Sequence, residues 1–142
     1  MKRKNKVILA FLVLAFSTIL HSCRNDMYSD GKWVYEQKCQ TCHQADGQSL
    51  ALLIPPLAGS DFLVKHKNRI ACIIKYGIEE PIIVNGQEYN GIMYGVDDIN
   101  EIDITNVINY INNSFGNSNG FTSLEEVQSS LQVCEEPKKS IK

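Results

Sequence analysis

The sequence predicts a small all-α fold: three core helices, a short hairpin and loop between the second and third, and one extra helix near the C-terminus. Three observations predict it. Ile104, Val107, Ile108 and Ile111 recur at helical spacing and make one continuous apolar stripe. The strand signal is confined to Ile82–Val84 and Gln87–Tyr89 around Asn85-Gly86, enough chain for one small hairpin. Pro55-Pro56 interrupts any helix between the N-terminal third and Ser60.

The first segment stands apart from this fold. Lys2, Arg3, Lys4 and Lys6 form a basic stretch, and the fourteen residues from Val7 to Leu20 are apolar except for Ser17 and Thr18. A membrane-spanning helix takes about 17–25 residues, so this run reads as the core of a secretory signal. Leu20-His21-Ser22-Cys23 resembles a bacterial lipoprotein signal, in which the chain is cut before the cysteine and that cysteine is acylated. The alternative is an ordinary signal peptide with Cys23 free. The expected division is a lipoprotein signal peptide over 1–22, a tether over 23–29, the main folded domain over 30–116, and a C-terminal helical extension and tail over 117–142.

The first core helix begins near Asp30 and carries Trp33, Val34 and Tyr35 ahead of Cys39. Ser60 can cap the second, with Asp61 in its first turn, Phe62, Ile70, Ile73 and Ile74 as apolar contacts, and Gly77 as its stop. Asn90-Gly91 adds a second turn before Met93. Asn100, with Asp103 three residues on, is a capping pair for the third helix. Asn112 to Gly120 is polar and glycine-rich and ends it. Ser123 can cap a last helix through Leu124, Val127 and Leu131 toward Cys134, followed by a frayed tail from Glu135.

Loss of residues 1–22 leaves ten Lys and Arg against sixteen Asp and Glu, a formal charge of −6. Such a balance makes nucleic acid an unsuitable partner, because phosphates are neutralised by Lys and Arg. It suits a domain held at a membrane through a lipid on Cys23. Export also sets an oxidising compartment, where disulfides persist. Of five cysteines, Cys23 takes the lipid and Cys39 with Cys42 form a local pair. Cys72 and Cys134 remain as candidates for one disulfide, provided the fold brings them within bridging distance.

Cys39-Gln40-Thr41-Cys42-His43 is the Cys-x-x-Cys-His signal for covalent attachment of a c-type haem. The spacing has a mechanical basis. Two thiols add across the vinyl groups along one porphyrin edge, and the adjacent imidazole turns beneath the ring to meet iron. A thioredoxin-like redox pair needs a βαβ setting that the chain lacks. A zinc site needs four ligands, and only three cluster here. A local disulfide does not close comfortably across so short a loop at a helix end. One covalent haem c per chain is therefore expected, held by Cys39, Cys42 and His43, with His43 as the first iron ligand.

For the sixth iron position the mature chain offers Met27, His66 and Met93. Met27 lies on the tether, and His66 sits between Lys65 and Lys67, where a solvated histidine is the default. Met93 follows two Asn-Gly turns on a loop able to bring a thioether over the opposite haem face, and it is the expected ligand.

With these pieces in hand, the chain resembles a bacterial class I, mono-haem cytochrome c domain over nearly all of residues 30–116. The matching elements are Gly31 and Tyr35 ahead of Cys39–His43, then Pro55-Pro56-Leu57-Ala58-Gly59-Ser60, Val84-Asn85-Gly86 and Tyr89-Asn90-Gly91-Ile92-Met93. Ile104–Ile111 follows, running into Asn113-Ser114-Phe115-Gly116-Asn117. The resemblance implies the small cytochrome c fold, with Gly31 and Tyr35 meeting Tyr110 where the first and last core helices cross. It also implies a proline carbonyl, here that of Pro56, accepting Nδ1–H of His43 and so strengthening it as a donor. The family usually places proline after the axial methionine. Tyr94 stands there instead and is expected to leave the Met93 loop freer.

A haem with both axial positions filled by protein atoms has no room for substrate, which points to single-electron transfer rather than an enzyme. The expected setting is the periplasmic side of a bacterial membrane. The expected partners are redox proteins: a quinol-oxidising complex, a terminal oxidase or reductase, or a dehydrogenase. Two alternatives stay open: a haem subunit bound to one dehydrogenase, and a haem enzyme or sensor whose Met93 is displaced. Glu79, Glu80, Asp97, Asp98, Glu101 and Asp103 flank the Met93 loop, as either a solvated face or a patch that steers a basic partner.

Overall fold

A computed structural model describes residues 27–50 and 53–139. Residues 1–26, where the signal peptide, Cys23 and most of the tether are expected, residues 51–52 and the last three residues lie outside the described residues. No helix among the described residues is long and apolar enough to cross a membrane.

The helices are α1 (Ser29–Lys38), α2 (Gln40–His43), α3 (Asp61–Lys65), α4 (Lys67–Tyr76), α5 (Glu101–Asn112) and α6 (Leu124–Lys139). Four short strands lie between α4 and α5: β1 (Gly77–Ile78), β2 (Ile82–Val84), β3 (Gln87–Tyr89) and β4 (Met93–Tyr94). The mostly helical fold is the one the sequence predicts.

The frame is the crossing of α1 and α5. Gly31, Val34 and Tyr35 are the buried face of α1. A Cβ at Gly31 would collide with the Asn106 carbonyl and stand 2.8 Å from the Tyr110 Cβ, so only glycine permits this approach. Tyr35 and Tyr110 then meet with ring centroids 5.4 Å apart, and Phe115 closes the cluster 5.1 Å from Tyr35 and 5.5 Å from Tyr110. The tilted and edge-on arrangements suit the ring quadrupoles. Ile104, Val107, Ile108 and Ile111 of α5 are all buried, as their spacing requires. The Asn100 side chain accepts from the Asp103 N–H at 2.9 Å and caps that helix.

The second core helix is divided. His66 breaks it into α3 and α4, with φ −121° between them, and its ring stacks on Phe62 at 4.3 Å between centroids. The Ser60 side chain makes no cap hydrogen bond; the Asn85 side chain, from across the fold, takes the first helical N–H instead. Asn85 N–H donates to the Asp61 carboxylate at 2.7 Å, and Asp61 N–H donates to the Asn85 side-chain oxygen at 3.0 Å. This reciprocal pair pins the β2–β3 turn to the start of α3.

The hairpin has Ile82 opposite Tyr89 and Val84 opposite Gln87, with Asn85 at φ 52° and Gly86 at φ 80°. Positive φ at both turn residues is what Asn-Gly tolerates. Helix α6 follows a capping box in which Glu126 N–H donates to Ser123 Oγ at 3.2 Å and Ser123 N–H donates to the Glu126 carboxylate at 2.7 Å. Val127 and Leu131 are buried against α4 and α5. Cys134 is joined to Cys72 of α4, with the two Cα atoms 6.1 Å apart. The helix continues past that bridge to Lys139 rather than ending near Cys134.

Candidate functional site

Helix α1 ends at Cys39, and the chain immediately winds into the single turn of α2. Cys42 N–H donates to the Cys39 carbonyl at 3.1 Å, and His43 N–H donates to the same oxygen at 2.9 Å. Cys39, Cys42 and His43 therefore share one turn, as the Cys-x-x-Cys-His spacing requires. Both thiols are free, Cys39 half-buried and Cys42 exposed. Burial, and secondarily Cys42, pushes the Cys39 thiol up to about 11, so it is neutral at physiological pH.

The turn is held from below by Tyr35, whose hydroxyl donates to the Gln44 carbonyl at 2.6 Å. Burial is the main reason that phenol titrates far above its ordinary range. The aromatic cluster at the helix crossing thus sets the exit of the chain from His43, with Gln44 in the left-handed region at φ 63°.

His43 is buried, which lowers its pKa from the ordinary value, while the Pro55 carbonyl acts in the opposite direction. Its Nδ1 lies 3.1 Å from the Ser49 hydroxyl oxygen. That hydroxyl donates to the Pro55 carbonyl at 2.9 Å. A carbonyl oxygen only accepts, so the hydroxyl hydrogen points at Pro55 and the oxygen receives from the ring. Nδ1 then carries the ring hydrogen, and Nε2 keeps a lone pair. The acceptor expected from the family is the Pro56 carbonyl; the structure instead turns the Pro55 carbonyl toward the ring and sets the Ser49 hydroxyl against both. The correction follows from the backbone just beyond. Leu57 and Ala58 N–H both donate to the Gly47 carbonyl, at 2.8 and 3.0 Å, and this anchors the loop with Pro55 facing Ser49.

The same loop is clamped from the end of α5. The Asn117 amide donates to the Leu57 and Ile111 carbonyls, both at 2.9 Å, and its oxygen accepts from Gly59 N–H at 2.9 Å. The Asn113–Asn117 segment is therefore joined physically to the proline loop that orients His43.

Met93 sits half-buried on β4. Strand β4 pairs antiparallel with β1, Gly77 opposite Tyr94 and Ile78 opposite Met93. This ladder was not expected. Gly77, at φ 82°, permits it because a Cβ there would run into the Met93 carbonyl. Val96 N–H continues the contact by donating to the Ile74 carbonyl at 3.0 Å, and Lys75 Nζ donates to the Asp97 and Ile99 carbonyls at 3.0 and 2.9 Å. Tyr94, expected to leave the segment freer, lies within this ladder. Proline has no N–H for a ladder, whereas tyrosine keeps its backbone donor there and leaves its ring 81% exposed. The Leu53 carbonyl comes within 2.9 Å of a Cβ built at Gly91, so the Met93 approach passes close to the loop from the His43 side.

The donor set fits a covalent haem. A buried imidazole with Nε2 open stands on one turn with two free thiols, and a half-buried thioether is fixed on a separate, laddered segment. His66 is turned toward Phe62, and Met27 is 84% exposed ahead of α1. Of these residues, sequence reasoning missed Ser49. The signal available was a hydroxyl six residues past a candidate iron histidine, which is weak until the loop is folded.

Residues 28–115 match the sequence profile of the family described as cytochrome c. The chain is also similar to two proteins called cytochrome c-552, both from Thermus thermophilus. One is 31% identical over 117 residues, covering 80% of this chain and 74% of that protein. The other is 34% identical over 94 residues, covering 63% of this chain and 71% of that protein.

Proposed function

This chain belongs to the cytochrome c family, a mono-haem electron carrier with haem c as its covalent cofactor, and from that premise we propose which residues hold the haem and where the protein works. Cys39 and Cys42 form the two thioethers, His43 binds iron through Nε2, and Met93 supplies the sixth ligand. The observation that carries this reading is His43 itself, buried, with Nδ1 engaged and Nε2 left open beside two free thiols on its own turn.

When bound, the haem supplies one-electron iron chemistry. The protein's part is to hold two axial donors in place and keep water out. A thioether on the sixth position favours reduced iron and raises the potential. The β1–β4 ladder supports a fixed Met93 and therefore a carrier over an enzyme or sensor with a displaceable ligand.

Cys23 is proposed as the lipidated residue after removal of residues 1–22, which holds the domain at the periplasmic side of a bacterial membrane. Its partners are proposed to be a quinol-oxidising complex on one side and a terminal oxidase or reductase on the other. Acidic residues flank the Met93 segment, and some are already engaged: Glu80 pairs with Arg69, and Glu101 accepts from Gln128. Glu79, Asp97 and Asp98 are exposed and suit a basic partner, whose encounter rate then falls with added salt.

The test is the visible spectrum of holoprotein made in a cytochrome-maturing host. Parent protein is expected to show a far-red sulfur-to-iron band when oxidised, and Met93→Ala to lose it and fall in potential. An unchanged spectrum in Met93→Ala refutes Met93 ligation. A colourless parent with both thiols open to alkylation refutes the site.

A further inference from the structure

We propose that Ser49 is a positioning residue for the iron histidine, relaying its hydrogen bond to the Pro55 carbonyl and thereby setting the reduction potential; this rests on the reading of His43 as the iron ligand. Three observations carry it. The hydroxyl oxygen is 3.1 Å from Nδ1, and the same group donates to Pro55 at 2.9 Å. Ser49 also sits at φ 63°. Residues other than glycine enter that left-handed region at a cost, and such conformations persist only where surrounding structure over-determines them. Here Ser49 N–H donates to the His43 carbonyl at 3.2 Å, closing the turn that delivers the hydroxyl to the ring.

The electronic consequence follows from the direction of the two hydrogen bonds. A hydroxyl that donates to a carbonyl is polarised and becomes a better acceptor for its own donor. Its pull on Nδ1–H raises electron density on the imidazole and strengthens Nε2 as a ligand. A stronger donor favours oxidised iron, so the relay holds the potential lower than the same histidine without it.

The experiment compares parent holoprotein with Ser49→Ala and Ser49→Gly. Both remove the hydroxyl, but glycine accepts φ 63° without strain and alanine does not. Potentiometric titration is expected to show the potential raised to a similar extent in both variants, although thermal unfolding separates them. In the reduced protein the His43 ring N–H, followed by nitrogen-edited NMR, is expected to exchange faster with water in both. A potential that is unchanged or lowered in the two variants overturns the relay, a lowering meaning that Pro55 takes the ring hydrogen directly. A parent without covalent haem overturns the site and the relay together. A haem-loaded parent whose potential ignores Ser49 overturns the relay alone.

Discussion

The Cys72–Cys134 bridge makes a quantitative claim about stability. It joins residues 62 apart in sequence and ties α6 to α4. By the loop-length relation, a crosslink closing that loop removes chain entropy equivalent to about 4 kcal/mol from the unfolded ensemble. Folded strain and residual unfolded structure reduce the measured figure, so about 4 kcal/mol is an upper value and about 2 is a reasonable floor for a native bridge. The perturbation is the double variant Cys72→Ser, Cys134→Ser, which avoids reductant acting on the haem. Unfolding of the oxidised holoprotein by guanidinium, followed by tryptophan emission from Trp33 and by circular dichroism, gives the midpoint and slope. The slope is expected to rise, since an uncrosslinked chain exposes more surface on unfolding. Protection from amide exchange is expected to fall first in α6, whose buried contacts are Val127 and Leu131. A loss below about 1 kcal/mol with unaltered slope refutes the reasoning, because it would mean that the bridge does not constrain the unfolded chain.

Two further outcomes are specific to other parts of the fold. Gly31→Ala places a methyl group against the Asn106 backbone and is expected to cost about 2 kcal/mol or more in chemical denaturation, outweighing alanine's better helix propensity of about 1 kcal/mol; an unchanged midpoint would show that the α1–α5 crossing adjusts freely. The Lys65 ammonium first, and the Asn85 N–H next, hold the Asp61 carboxyl below its ordinary value of 3.8. A lowered folded-state pKa stabilises the protein above the unfolded value, and the contribution is lost as pH falls through the lowered one. Acid unfolding monitored below about pH 4 is therefore expected to be shallower in Asp61→Asn than in the parent, and superimposable acid limbs would contradict a stabilising role for the Asp61 carboxylate with Lys65 and Asn85.

The line between what was legible and what was not follows contact range. Asn100–Asp103 and Ser123–Glu126 are caps whose partners are three residues apart, so each is visible before folding. The Asn85-Gly86 turn and the α5 stripe are equally local. Pro55 and Pro56 are adjacent and chemically equal, and only the anchoring of Leu57 and Ala58 on Gly47 decides which carbonyl faces Ser49. The division of the second helix at His66 was hidden because Lys65-His66-Lys67 carries no breaking residue.

The sequence alone determined the haem attachment turn, because two thiols and an imidazole within five residues can reach the edge and the iron of one porphyrin only through local geometry. It also determined the third core helix and the start of the last one, whose caps and apolar periods are short-range. Tertiary structure decided the orientation of His43, the β1–β4 ladder that holds Met93, and the meeting of Cys72 with Cys134. Those arrangements depend on which surrounding segments meet in the fold, and no local pattern encodes a distance that the rest of the chain must close.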